Sequence, residues 1–224
     1  MTTPSADARI ARGFDRLAPV YDLLGDIAFV GSLRRSQNAL LIHLPAVRRA
    51  LVLGGGSGRF LADLLRTGRV ETAVSIDLSA GMTRRAAHRT SELGFANRVE
   101  FRTGTLDLIR DDERFDLVVT HCFLDLFGPV TLREIVGRLD RSLEPGGLWL
   151  SSDFSDEGRG PARAIRRGVT WFLYRFFRAT CHIEATTLPD FDATFTAAGL
   201  RKSASSDHTG GLLRAALYRK NLAR

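Results

Sequence analysis

Residues 51 to 60, Leu51-Val52-Leu53-Gly54-Gly55-Gly56-Ser57-Gly58-Arg59-Phe60, constrain the fold more than any other stretch of the chain. An apolar run breaks into five residues, four of them glycine, and apolar periodicity then resumes. That pattern reads as strand, tight turn and helix. Without Cβ atoms the backbone can take positive φ and approach a ligand closely, and the free N–H groups opening the next helix favour an electron-rich partner. The spacing selects among cofactors. A dinucleotide turn of the form G-x-G-x-x-G would need its third glycine at Arg59, counting from Gly54, or at Leu61, counting from Gly56. A phosphate loop would need Lys-Ser or Lys-Thr after the glycines, and the only lysines are Lys202 and Lys220. The segment fits G-x-G-x-G on Gly54, Gly56 and Gly58.

Residues 70 to 77 read as a second strand ending in Asp77, about twenty residues past the glycines, where a carboxylate can accept both hydroxyls of an adenosine ribose. Ser79 is a candidate N-cap for the helix that follows, and Leu78 and Met82 are spaced to pack against an adenine face. Further strands are predicted near 50 to 53, 98 to 103, 115 to 121 and 148 to 154. Helices are predicted near 58 to 67, 80 to 93, 130 to 143 and 190 to 198, after a helical leader over about 8 to 45. Such alternation implies a parallel sheet covered on both faces.

On these residues the chain resembles the class I S-adenosylmethionine (SAM)-dependent methyltransferases. The fourth strand, 115 to 121, and the run Leu143-Glu144-Pro145-Gly146-Gly147 also look like family landmarks. Phe14 to Asp22 is similar to the start of the ubiquinone and menaquinone C-methyltransferases, whose leader closes over the cofactor. The resemblance implies an α/β fold with a Rossmann-like, seven-stranded, mostly parallel sheet, helices on both faces and a C-terminal antiparallel hairpin around Gly210-Gly211. It implies SAM as cofactor and S-adenosylhomocysteine as product. Gly54, Gly55, Gly56, Ser57 and Gly58 would lie under the methionine part. Asp77 would hold the ribose, Leu78, Met82, Thr105 and Leu106 the adenine, with Tyr21, Thr120 and His121 completing the site. Two positions depart from the pattern: Val52 stands where the family usually has an acid near the methionine ammonium, and Thr105 where Asp often stands beside adenine.

At 224 residues and 44% hydrophobic, the chain is expected to form one domain over 1–224, with a leader at 1–45 and an insertion at 159–184. The polar start lacks a signal-peptide core, and Cys122 and Cys181 suggest no disulfide framework, so a reducing cytoplasm is the expected compartment. The net charge of +7 comes from basic residues that are almost all arginine and are scattered along the chain. With no recognition motif beside them, nucleic acid is not the expected partner. The expected partner is a small-molecule acceptor.

In open α/β sheets, function gathers at the carboxyl ends of the strands. That rule selects His121 and Asp125 as candidate catalytic groups: His121 as a base for the acceptor's proton, since its unperturbed pKa lies near neutrality, or as a residue that only shapes the pocket, and Asp125 as the group that orients His121 or caps the next segment. It selects Asp153 as a candidate substrate contact. His121, Asp125, His182 and Glu184 show no metal-ligand spacing, so no metal is expected. In the insertion, Ile165, Val169, Phe172 and Phe176 share one helical face, flanked by Trp171, Leu173, Tyr174 and Phe177 and by several arginines. This helix reads as a roof over an apolar or aromatic acceptor, as a contact for a membrane surface, or as core packing. Under the first reading Trp171, Tyr174, His182 and Glu184 contact substrate. The expected function is methyl transfer from SAM to a small apolar or aromatic acceptor; the alternative is SAM binding without transfer.

Overall fold

The computed structural model describes residues 6–18, 31–156 and 161–222. Its centre is a seven-stranded sheet in the order β3-β2-β1-β4-β5-β7-β6. The strands are β1 (Val47–Leu53), β2 (Val70–Asp77), β3 (Val99–Thr103), β4 (Phe115–His121), β5 (Leu143–Phe154), β6 (Leu200–His208) and β7 (Leu213–Lys220). The first five run parallel, and β7 lies antiparallel to both β5 and β6. The helices are α1 (Ala6–Leu17), α2 (Ser32–Asn38), α3 (Arg59–Arg66), α4 (Ala80–Glu92), α5 (Pro129–Ser142), α6 (Pro161–Cys181) and α7 (Phe191–Ala197).

The central strands read as near-continuous apolar runs because both faces are covered. On one face Val52, Val119 and Leu150 pack with Leu61 and Leu64 of α3. On the other, Leu51, Val118 and Trp149 pack with Leu132, Ile135 and Leu139 of α5. In register, Leu53 of β1 pairs with Ile76 of β2 on one side and Thr120 of β4 on the other. The carboxyl ends of β1, β2 and β4 are therefore aligned. The order β2-β1-β4 makes the β1/β4 boundary the point where the chain reverses direction across the sheet, the crevice that open α/β sheets use for ligands.

The leader is not one helix over 8 to 45. Among its described residues it holds α1, α2 and a 3₁₀ turn at Leu41–His43. Gly31 at φ 69° cannot continue a helix into α2, and Leu44 is extended at ψ 132°, as the residue before Pro45 must be. The fifth strand begins at Leu143 and not near 148, because Leu143 already pairs with Phe115 across a register shift that Gly146, at φ +75°, accommodates. The remaining boundaries lie within about three residues of expectation, an uncertainty ordinary to helix and strand ends.

α1 lies against α6 at close range. A Cβ on Gly13 would sit 2.5 Å from the Cys181 Cα and 2.6 Å from the Thr180 carbonyl, so the two backbones touch with no side chain between them. Phe14 stacks on Phe177 beside this contact. Two residues past Gly13, Asp15 accepts hydrogen bonds from the Ser79 hydroxyl and, at 2.9 Å, from the Gly81 N–H, capping the N-terminus of α4.

Candidate active site

The turn between β1 and α3 is held open for a ligand by two constraints on its glycines. Gly54, at φ +60°, presses against the Phe123 ring, 2.7 Å from where a Cβ would lie. Gly58, at φ +76°, sits where a Cβ would come within 2.7 Å of the Ala86 backbone in α4. Asp77 bridges this turn to the next. Its Oδ2 accepts the Gly56 N–H at 2.9 Å and its Oδ1 accepts the Ser79 N–H at 2.9 Å. Burial raises the Asp77 carboxyl above the usual range, and those two backbone donors oppose the shift. Each carboxylate oxygen keeps a further lone pair, so the pair of oxygens can still accept two sugar hydroxyls. Ser79 accepts the Met82 N–H at 3.0 Å, as an N-cap should. Leu78 is half-buried and Met82 fully buried beside it. Thr105 caps its own 3₁₀ turn, Leu106–Leu108, accepting the Asp107 N–H. Turn, acid and small apolar surfaces therefore suit an adenosine carrying a methionine-like arm.

Beyond the turn opens a mostly apolar cavity of about 350 Å³, walled by the Gly54–Ser57 segment, the end of β4 and the inner face of α6. His121 stands in this wall, only 8% exposed, with its ring edge-on to Phe60 at 4.2 Å. Neither ring nitrogen has a hydrogen-bond partner, and burial pushes its pKa down to about 3. Asp125 is also in the wall, and its Oδ1 has no partner. Burial, with the nearby charge of Asp153, holds its carboxyl well above the usual range. Asp153 sits behind, accepting the Ser151 hydroxyl and, at 3.3 Å, the Phe123 N–H, and burial pushes it up to about 7. The order of proton affinity is thus inverted: the carboxyls hold protons more tightly than the imidazole. Tyr174 donates its hydroxyl to the Asp125 carbonyl at 3.2 Å.

The Thr120 side chain is turned away and accepts the Trp149 Nε1–H at 2.9 Å. Of the substrate candidates, Tyr174 reaches the cavity wall and Asp153 lies behind it. Trp171 is 62% exposed with the Arg175 guanidinium 5.3 Å from its ring centre, and His182 is exposed. Glu184 is spent on the Thr131 hydroxyl at 3.1 Å, while its N–H ties to Leu126. Tyr21 lies outside the described residues. Sequence reasoning missed Phe60, Leu173, Phe177 and Ile183 as wall residues. The four-residue spacing of Leu173 and Phe177 was the signal available. Among the described residues no three His, Cys, Asp or Glu side chains are grouped to hold a metal.

Residues 50–147 match the family model described as a methyltransferase domain. The chain is 32% identical over 114 residues to a demethylmenaquinone methyltransferase of Roseiflexus sp. (strain RS-1), covering 50% of this chain and 46% of that protein. It therefore spans about half the length of that curated relative. A demethylmenaquinone methyltransferase of Renibacterium salmoninarum is 27% identical over 177 residues, covering 74% of this chain and 68% of its own length. Among solved structures, the N-methyltransferase NodS from Bradyrhizobium japonicum WM9, in complex with S-adenosylhomocysteine, superposes with a TM-score of 0.62 at 18% identity, covering 84% of this chain and 87% of that one. An O-methyltransferase family protein from Burkholderia thailandensis gives 0.66 at 22% identity, covering 86% and 58%. These two likenesses speak for the fold. The stretch matched by the methyltransferase-domain model begins in β1 and ends in β5, so it encloses the glycine turn, Asp77 and the His121–Asp125 segment together.

Proposed function

We propose that this chain transfers a methyl group from SAM to a small apolar or aromatic acceptor held beneath α6, with Asp125 receiving the acceptor's proton. The observation that carries the reading is the apolar cavity that abuts the glycine turn and has an unpartnered carboxylate oxygen of Asp125 in its wall. The names of the demethylmenaquinone methyltransferases support a quinol-like acceptor, whose flat apolar body suits such walls.

SAM, when bound, supplies an electrophilic methyl group on a positively charged sulfur. What the chain contributes is alignment and exclusion of water. The Gly54–Gly58 turn allows close approach, Asp77 fixes the ribose, and the aromatic underside of α6 keeps the transfer site dry. Once ionised, Asp125 accepts a proton from an acceptor hydroxyl, and its raised carboxyl makes it a stronger base than a free aspartate. His121, neutral in this wall, serves as a hydrogen-bond partner and not as the base. A second reading, SAM binding without transfer, is favoured by Val52, which leaves the methionine end of the site without the usual acid.

Two measurements test the proposal. Calorimetric titration should show S-adenosylhomocysteine binding that weakens at least about tenfold in Asp77→Ala, since charge-assisted hydrogen bonds contribute about 1.5–3 kcal/mol each. Unchanged affinity in the folded variant would place the ribose elsewhere. In a methyl-transfer assay with quinol and phenol acceptors, Asp125→Asn should lower kcat about 100-fold or more with S-adenosylhomocysteine affinity nearly intact. Full turnover in that variant removes Asp125 as base, and binding without turnover of any acceptor favours the second reading.

A further inference from the structure

α6 has two apolar sides. One, carrying Thr170, Tyr174 and Cys181, packs inward. The other, formed by Ile165, Val169, Phe172 and Phe176 at spacings of four, three and four residues, faces solvent. Ile165 is 69% exposed and Phe172 65%, and exposed Trp171 stands beside them. Water-facing surfaces seldom leave such a contiguous row of large apolar side chains bare. The helix also carries five arginines and no acid. Arg167, Arg175 and Arg178 are exposed, on the flank where Trp171 lies. Among the described residues no helix is long and apolar enough to cross a membrane.

We infer that the outer face of α6 docks the protein on an anionic lipid surface. An amphipathic helix with Trp and Phe on its apolar side and arginines along its flank inserts the apolar ridge among headgroups while its cations meet lipid phosphates. A second copy of the same face would set Arg175 and Arg178 against their own copies, so the charge argues for an anionic occupant. The ridge is also continuous with the cavity, because Phe172 and Phe176 belong to both. Docked this way, the cavity mouth opens at the lipid surface, and an apolar acceptor enters without crossing water; that last consequence rests on the proposed methyl transfer.

Trp171 reports on docking in the unmodified protein, because the one other tryptophan, Trp149, is fully buried. On vesicles of phosphatidylcholine mixed with phosphatidylglycerol the protein should co-sediment, and Trp171 emission should shift to the blue and be quenched by brominated lipid. Both signals should fade on pure phosphatidylcholine and at high salt. Ile165→Ser combined with Trp171→Ala should lower vesicle partitioning at least about tenfold. Arg175→Gln with Arg178→Gln should lower it by about tenfold or more at low salt. Unshifted emission without co-sedimentation overturns the inference. So does equal, salt-independent binding to both vesicle types, or a dimer in sedimentation equilibrium that Trp171→Ala dissociates. Titrating the same preparations with S-adenosylhomocysteine separates the two ideas: cofactor binding without vesicle binding sinks docking alone, and the reverse sinks the functional reading alone.

Discussion

Gly58→Ala should destabilise the protein by about 2–5 kcal/mol, the sum of roughly 1–2 for a left-handed non-glycine residue and 1–3 for forced overpacking. The clash cannot be relieved by a rotamer change. The added Cβ would meet the Cα and Cβ of Ala86 at 2.7 Å, so α4 itself must move away from the turn. That movement carries Ser79 and the cap it makes, and with them the donor that fixes Asp77 Oδ1. Loss of stability and loss of S-adenosylhomocysteine binding should therefore appear together. Urea unfolding and calorimetry on the same preparation check this, and a variant that binds normally with parental stability shows that the turn tolerates a side chain.

Asp153→Asn should stabilise the protein at pH 8, by up to about 4 kcal/mol, with little effect at pH 4. In the folded chain burial keeps Asp153 protonated up to about pH 7, whereas an unfolded aspartate loses its proton near 3.9. Between those values the native state binds more protons than the unfolded one, so the contribution of this group to stability falls as pH rises. A difference of about three pH units at 1.36 kcal/mol each sets the ceiling. Asn keeps an acceptor for the Phe123 N–H, can donate to Ser151, and does not ionise. His121 acts in the opposite sense over much the same range: neutral when folded down to about pH 3, it adds stability as pH rises towards 6.5. The parent's own pH curve therefore partly cancels, and the comparison must be variant against parent at each pH. A difference that does not change between pH 4 and pH 8 refutes the buried titration. Above about pH 7, where Asp153 is charged, removing that charge also lowers the Asp125 carboxyl.

What could be read from the sequence was whatever depended on local chemistry. The glycine turn, Asp77 and the Ser79 cap are signalled by residue types whose backbone roles few others can fill, and each appears at its expected place. The strands between them were legible because parallel strands buried on both faces are apolar throughout. The cover helix was harder. α6 has apolar residues on two sides, so periodicity identified Ile165, Val169, Phe172 and Phe176 as one face but carried no information on whether it looks inward. The structure buries the opposite side, around Tyr174, which is why Trp171 points to solvent and Leu173 and Phe177 line the cavity. Proton affinities were equally hidden. His121 looked like the base because free imidazole titrates near neutrality, yet burial depends on Phe60 and α6, which only the folded chain brings beside it.

The two attachments of α1, two residues apart, make it a short bridge between α4 and α6. Asp15 is fastened to the N-terminus of α4, next to the turn that Asp77 organises, and Gly13 rests directly on the backbone of α6 above the cavity. Bare backbone contact leaves little compliance, so a shift at one end displaces the other. If cofactor and acceptor binding are felt at the two attachments, the coupling between them is reciprocal. By thermodynamic reciprocity the factor by which cofactor raises acceptor affinity equals the factor by which acceptor raises cofactor affinity. Enlarging Gly13 would weaken both by the same route, without touching either ligand.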